Sequence, residues 1–169
     1  GNVTYNANAN PQFIEVAINS NVADDSFEDL GSMGYGAAWG DYDNDDDFDL
    51  YLTNWGKNRL YENDNNIFTN KAVEFNLESD SLSNGAGWGD FNNDGYIDLW
   101  SNNFKREDDL FFNLNHLNQD WDNSHNPFYL SATQDVVPVD YNNDGWLDMF
   151  TPGLLMAHEH GVEGIPGYK

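Results

Sequence analysis

Asp41-Tyr42-Asp43-Asn44-Asp45-Asp46-Asp47-Phe48-Asp49 is one of three acidic nonapeptides in this chain. The others are Asp90-Phe91-Asn92-Asn93-Asp94-Gly95-Tyr96-Ile97-Asp98 and Asp140-Tyr141-Asn142-Asn143-Asp144-Gly145-Trp146-Leu147-Asp148. Each carries oxygen side chains at positions 1, 3, 5 and 9 and an apolar residue at position 8. From Asp41 to Asp90 is 49 residues, and from Asp90 to Asp140 is 50. A hard divalent cation such as Ca²⁺ takes six to eight oxygens, and alternate positions of a tightly curled loop supply them. Gly95 and Gly145 at position 6 allow the positive φ of such a curl. Asp46 replaces glycine in the first loop, and aspartate tolerates that conformation better than most residues.

One such cluster alone reads as an ordinary solvated turn, because Asp, Asn and Gly are common turn formers. Three in one register at a near-constant period do not follow from turn chemistry. The reading is therefore an array of three calcium loops.

Composition points to the same setting. The chain has 30 acidic and 6 basic residues, a formal charge of −24. Such a balance repels nucleic acid and anionic membrane surfaces, which excludes both as expected partners. Millimolar calcium outside cells suits loops of modest affinity, so an extracellular or cell-surface location is expected. With no cysteine in 169 residues, metal takes over the stapling that disulfides provide elsewhere. No apolar run reaches transmembrane length, and Gly1 opens no leader-type segment, as expected of a processed chain. Asn2-Val3-Thr4 is a glycosylation sequon of low specificity.

Aromatic residues make up 15% of the chain and fall in short alternating runs, the periodicity of strands. Before the loops stand Gly36–Gly40, Gly85–Gly89 and Asp135–Val139; after them stand Leu50–Asn54, Leu99–Asn103 and Met149–Pro152. Each unit thus reads strand, loop, strand. The small residues of the first strand predict close approach to a neighbouring backbone. Trp39 and Trp88 share one register and are expected to pack between sheets, while Pro138 in the third copy predicts an irregular or edge strand. A second hairpin is expected at 58–64 with 67–73, and again at 109–113 with 128–132. The segment between the last two, Leu114 to Pro127, reads as an insertion loop. Four strands in about fifty residues is the arithmetic of a propeller blade.

The run Gly36-Ala37-Ala38-Trp39-Gly40-Asp41-Tyr42-Asp43-Asn44-Asp45, continuing through Asp49–Asn54 and Asn58–Asn63, resembles the FG-GAP/VCBS repeat family, which includes the blades of integrin α-subunit propellers. The resemblance spans roughly 1–155. It implies an all-β fold of four-stranded antiparallel blades with Ca²⁺ in the turn between the first two strands. It further implies side-chain ligands Asp41, Asp43, Asp45 and Asp49; Asp90, Asn92, Asp94 and Asp98; and Asp140, Asn142, Asp144 and Asp148. Carbonyls of Asp47, Tyr96 and Trp146 would join them at position 7.

The expected organisation is an N-terminal half-blade (1–33), two blades (34–84 and 85–134), a half-blade with the third loop (135–152) and a tail (153–169). Asn2–Asn8 parallels 58–64, and Phe13–Ala17 parallels 68–72, as outer strands. Three blades do not comfortably close a ring, and open edges invite pairing with another chain. The expectation is a structural or adhesive protein that assembles head-to-tail, as a homo-oligomeric ring or a filament, through half-blade complementation.

A fragment of a longer propeller and a calcium-dependent lectin-like module are the alternatives. In the second, Trp55, Trp121 or Tyr129 would stack on a glycan. A protein ligand is the other partner class this reading allows. Catalysis is not expected: there is no cysteine and no Gly-x-Ser-x-Gly elbow, and His158-Glu159-His160 offers two metal-type ligands without a third.

Overall fold

The computed structural model describes residues 16–22, 34–79, 82–104, 107–115, 120–125 and 135–151. These residues are all β, without a helix. The first sheet has strand order β1 (Gly34–Gly40), β2 (Asp49–Asn54), β3 (Arg59–Asp64), β4 (Ile67–Asn70). The second repeats that order with β5 (Leu82–Gly89), β6 (Asp98–Phe104), β7 (Asp109–Asn115) and β8 (Asp120–His125). A two-stranded sheet follows, β9 (Val137–Val139) with β10 (Asp148–Phe150). All pairings are antiparallel.

The loops set the register. Each closes a hairpin in which the residue before the first Asp pairs with the last Asp: Gly40 with Asp49, Gly89 with Asp98 and Val139 with Asp148. The outer hairpin of the first sheet turns on Asn65 and Asn66, both left-handed at φ 55° and 68°. Two consecutive positive φ angles match the right-handed twist of the flanking strands.

The blades stack face to face, with β5 against β1 and β2, and β9 against β5. Alternation along the strands gives each blade two apolar faces. Tyr42, Tyr51 and Leu60 of the first blade meet Ala86, Leu99 and Phe111 of the second in one buried cluster. Phe91, Trp100 and Leu110 of the second meet Val136, Leu147 and Met149 in the next. We call the first set the leading face of a blade and the second its trailing face.

Close approach is strictest at β1. A Cβ on Gly36 would lie 2.5 Å from the Asn84 carbonyl oxygen and 3.0 Å from the Gly85 Cα, so only hydrogen fits there. Buried polar groups lock the turn between the second and third strands in both blades. Asn58 Oδ1 accepts from the Asn54 N–H at 2.9 Å, and Asp108 Oδ1 accepts from the Asn103 N–H at 2.8 Å.

Several expectations need correction. The fourth strand of the second blade is Asp120–His125, inside the segment read as an insertion loop. Pairing at a blade's outer edge is made by backbone groups, so the weakly apolar Asp-Trp-Asp-Asn stretch suffices once Asn113 sits opposite Trp121. The expected strand at 128–132 lies outside the described residues. The fourth strand of the first blade ends at Asn70, and Ala72–Asn76 form a turn. Trp39 is exposed rather than packed between sheets, whereas Trp88 packs against the core as expected.

At the other end, the stretch 13–17 read as an outer strand reaches the described residues only at Val16 and Ala17, and Ala17–Asn21 form a turn. That turn repeats the one after β4. Val22 N–H donates to the Ala17 carbonyl at 2.9 Å as Leu77 N–H does to Ala72 at 2.8 Å, and Asn21 and Asn76 share φ near 60° (61° and 57°). Residues 16–22 are thus the counterpart of 71–77. The remaining outer-strand residues of the N-terminal half-blade, and the tail with His158 and His160, lie outside the described residues.

Candidate metal centre

The three loops share one backbone path. Position 4 is left-handed in all of them, at φ 58° for Asn44, 57° for Asn93 and 58° for Asn143. Position 6 is left-handed too, at φ 73° for Asp46, 94° for Gly95 and 90° for Gly145. Asp46 therefore adopts the conformation that glycine supplies elsewhere. The asparagine at position 4 escaped the sequence reading as a conformational requirement. Its signal was present: the same αL-tolerant residue recurs in all three copies.

The first aspartate gathers the curl. Asp41 Oδ1 accepts from Asp45 N–H and Oδ2 from Asp46 N–H, both at 3.1 Å. Asp90 does the same for Asp94 and Gly95 at 3.0 and 2.9 Å, and Asp140 for Asp144 and Gly145 at 3.1 and 3.0 Å. Position 5 caps position 7: the N–H groups of Asp47, Tyr96 and Trp146 donate to Asp45, Asp94 and Asp144 at 2.8, 2.9 and 3.0 Å. Asn92 and Asn142 at position 3 accept from the N–H of Asp94 and Asp144 at 2.9 and 2.8 Å.

The last aspartate ties loop to blade. Asp49 is fully buried, and its carboxylate accepts from Tyr42 N–H at 3.0 Å and from Asn63 N–H of β3 at 2.9 Å. Asp98 repeats this with Phe91 N–H at 2.8 Å and Asn113 N–H of β7 at 2.9 Å. Asp148 accepts from Tyr141 N–H at 3.2 Å, and among the described residues no third strand reaches it.

Carboxylate oxygens of Asp41, Asp43 and Asp49 lie within 4.8 Å of one another. Asp45 stands outside that trio. Asp43 Oδ1 is buried and accepts no hydrogen bond among the described residues. Burial, with Asp45, Glu62 and Asp41 close by, pushes the Asp43 carboxyl up to about 6. Burial likewise pushes Asp49 and Asp98 up to about 7, against two backbone N–H donors that pull each down. Burial also raises the Tyr42 phenol, helped by its 2.6 Å hydrogen bond to Glu62 Oε2.

Converging hard oxygens, one of them buried without a donor, fit a divalent cation. Neighbouring loops also touch, since Asn93 Nδ2 donates to the Gly145 carbonyl at 3.0 Å.

Two stretches of the chain, 41–101 and 90–151, match the family model of the FG-GAP-like repeat. The chain belongs to the FG-GAP-like repeat family. Both matches begin at the first aspartate of a loop, so each FG-GAP-like repeat runs from one loop into the next blade's inner strands. No characterised protein compared with the chain matches it. Among the described residues no helix is long and apolar enough to cross a membrane.

The aromatics considered for glycan stacking fall differently. Trp121 packs in the core against Tyr42 and Trp88, with ring centroids 5.9 and 6.3 Å away. Trp55 is half-buried and bridges Leu82. Tyr129 lies outside the described residues.

Proposed function

We propose that this FG-GAP-like repeat protein is an extracellular, calcium-binding structural or adhesive module without catalytic activity, and that copies of it assemble head-to-tail. One observation carries the calcium reading: the curl of the first loop brings three carboxylates together and leaves a buried oxygen of Asp43 without a donor. The residues that would hold the ion are Asp41, Asp43, Asp45 and Asp49 with the Asp47 carbonyl, and their counterparts in the other two loops. Bound Ca²⁺ supplies positive charge that offsets the mutual repulsion of these carboxylates. The aspartates meanwhile fix the hairpin register, and Asp49 and Asp98 anchor the first two loops to the third strand. Structural tension in the acidic curl thus becomes stiffness of the blade when the charge is matched. Assembly is supported by the two-stranded β9–β10 sheet, whose outer edge is unpaired among the described residues.

Thermal unfolding with millimolar Ca²⁺ and then with excess chelator, run beside light scattering, tests both halves. Calcium at a hundred times the dissociation constant adds about 2.7 kcal/mol per site to folding. The expected outcome is a large drop in Tm on chelation together with dissociation to smaller species. An unchanged Tm returns the loops to ordinary acidic turns.

A further inference from the structure

The two blade interfaces inside the chain share one plan. At the first, Tyr42 at loop position 2 stacks on Trp88 of the next blade, with centroids 6.4 Å apart and planes 13° apart. Asn113 Nδ2 donates to the Tyr42 carbonyl at 2.8 Å, and Ile97 packs alongside. At the second, Phe91 takes the place of Tyr42 and Leu147 that of Ile97. Leading aromatics at both interfaces are sealed: Tyr42 is 0% exposed, Phe91 1%, Tyr51 0% and Trp100 1%.

Among the described residues, the two end faces of the stack carry the same residue types, exposed. On the leading face of the β9–β10 sheet, Tyr141 (position 2) is 74% exposed and Phe150, the counterpart of Tyr51 and Trp100, is 64% exposed. On the trailing face of the first blade, Trp39 is the counterpart of Trp88 and Phe48 that of Ile97, at 56% and 65% exposed. Trp39, Phe48 and Phe68 line an open groove with Asn63, and Asn63 is the counterpart of Asn113. Asn63 shares the backbone role of Asn113 toward the loop's last aspartate. Asn63 Nδ2 donates to the Phe48 carbonyl at 3.0 Å, as Asn113 does to Ile97 at 3.4 Å, and a primary amide has a second N–H for the place that the Tyr42 carbonyl takes at Asn113.

We propose that Tyr141 of one copy stacks on Trp39 of a second copy, with Phe48 and Phe68 walling the ring and Asn63 donating to the Tyr141 carbonyl. The contact is heterologous, so each copy keeps one free face of each kind and the stack continues or closes. The occupant is a second copy because its leading face reproduces the partners that fill the two internal interfaces. Residues 16–22, built like the turn 71–77 that lines the internal interface, already sit beside this groove, with Phe68 N–H donating to Ser20 at 2.9 Å. This inference rests on the head-to-tail reading and fixes its register.

The chain has no cysteine, so single-thiol variants report cleanly. Phe48→Cys and Phe150→Cys chains keep the Trp39 and Tyr141 rings, and their counterparts Ile97 and Tyr51 share one cluster at the internal interface. Mixed in millimolar Ca²⁺ and treated with a short bis-maleimide, they are expected to give mixed cross-linked dimers. Replacing either partner with Val73→Cys, which is exposed and does not line the groove, is expected to abolish them. In the otherwise native chain, Tyr141→Ala is expected to weaken association about tenfold or more while calcium stoichiometry holds. Assembled protein by light scattering without the mixed cross-link overturns this register and leaves head-to-tail assembly standing. A folded, calcium-loaded species that stays monomeric at every concentration overturns both. A glycan that binds the Trp39 groove of such a monomer reassigns the groove to sugar.

Discussion

At the scale of single residues, the last aspartate of each loop holds two tasks in tension. It receives the N–H of loop position 2 and, in the first two loops, an N–H of the third strand, and it is a carboxylate at the edge of an acidic curl. In metal-free protein the burial of this carboxylate leaves a pH signature. Asp49 and Asp98 are pushed up to about 7, whereas an unfolded aspartate titrates near the ordinary value of about 4. Between those values the folded state binds protons that the unfolded state releases, so stability falls as pH rises through the window. The contribution is fully present below about pH 4 and lost above about pH 7. Thermal scans in excess chelator are expected to show Tm rising as pH is lowered from 8 toward 5. Calcium affinity, measured by titration over the same range, is expected to fall, because protons and metal compete for the same oxygens. A chelated protein that loses stability steadily from pH 8 to 5 would remove the buried-carboxylate account.

At the scale of elements, what distinguishes the inner strands is how little side chain they carry. β1 and β5 approach so closely that Gly36 has the Asn84 carbonyl where a methyl group would go. Gly36→Ala adds a group against backbone, which cannot swing aside as a flexible side chain would. We expect a loss of about 1–3 kcal/mol by urea unfolding, without change in calcium stoichiometry, because the loops lie beyond the clash. The outer strands obey looser rules. β8 forms from Asp120–His125 although a more apolar run follows it, since an edge strand needs backbone pairing and one half-buried ring, here Trp121. That is why the inner hairpins were legible and the second blade's outer strand was misplaced.

At the scale of the whole molecule, the three acidic loops are unequally anchored although their sequences nearly match. Asp49 and Asp98 each receive an N–H from a third strand, while Asp148 is held only within its own hairpin among the described residues. Calorimetric titration of dilute protein is expected to resolve two tighter calcium sites and one weaker. The weaker one should tighten as concentration rises into the assembling range, since a neighbour that completes the third blade binds the same ordered state. Three equal sites at all concentrations would uncouple metal from assembly. The sequence by itself determined the inner hairpins and the loop register, because each depends on residues within one stretch of about ten: alternation and the spacing of acids and glycines. Only the tertiary structure decided which blade faces are sealed and which stay open. Tyr42 and Tyr141 occupy the same position in near-identical loops, and one is buried while the other is bare. Burial belongs to what stacks on a face, and for Tyr42 that neighbour, Trp88, lies about fifty residues away along the chain.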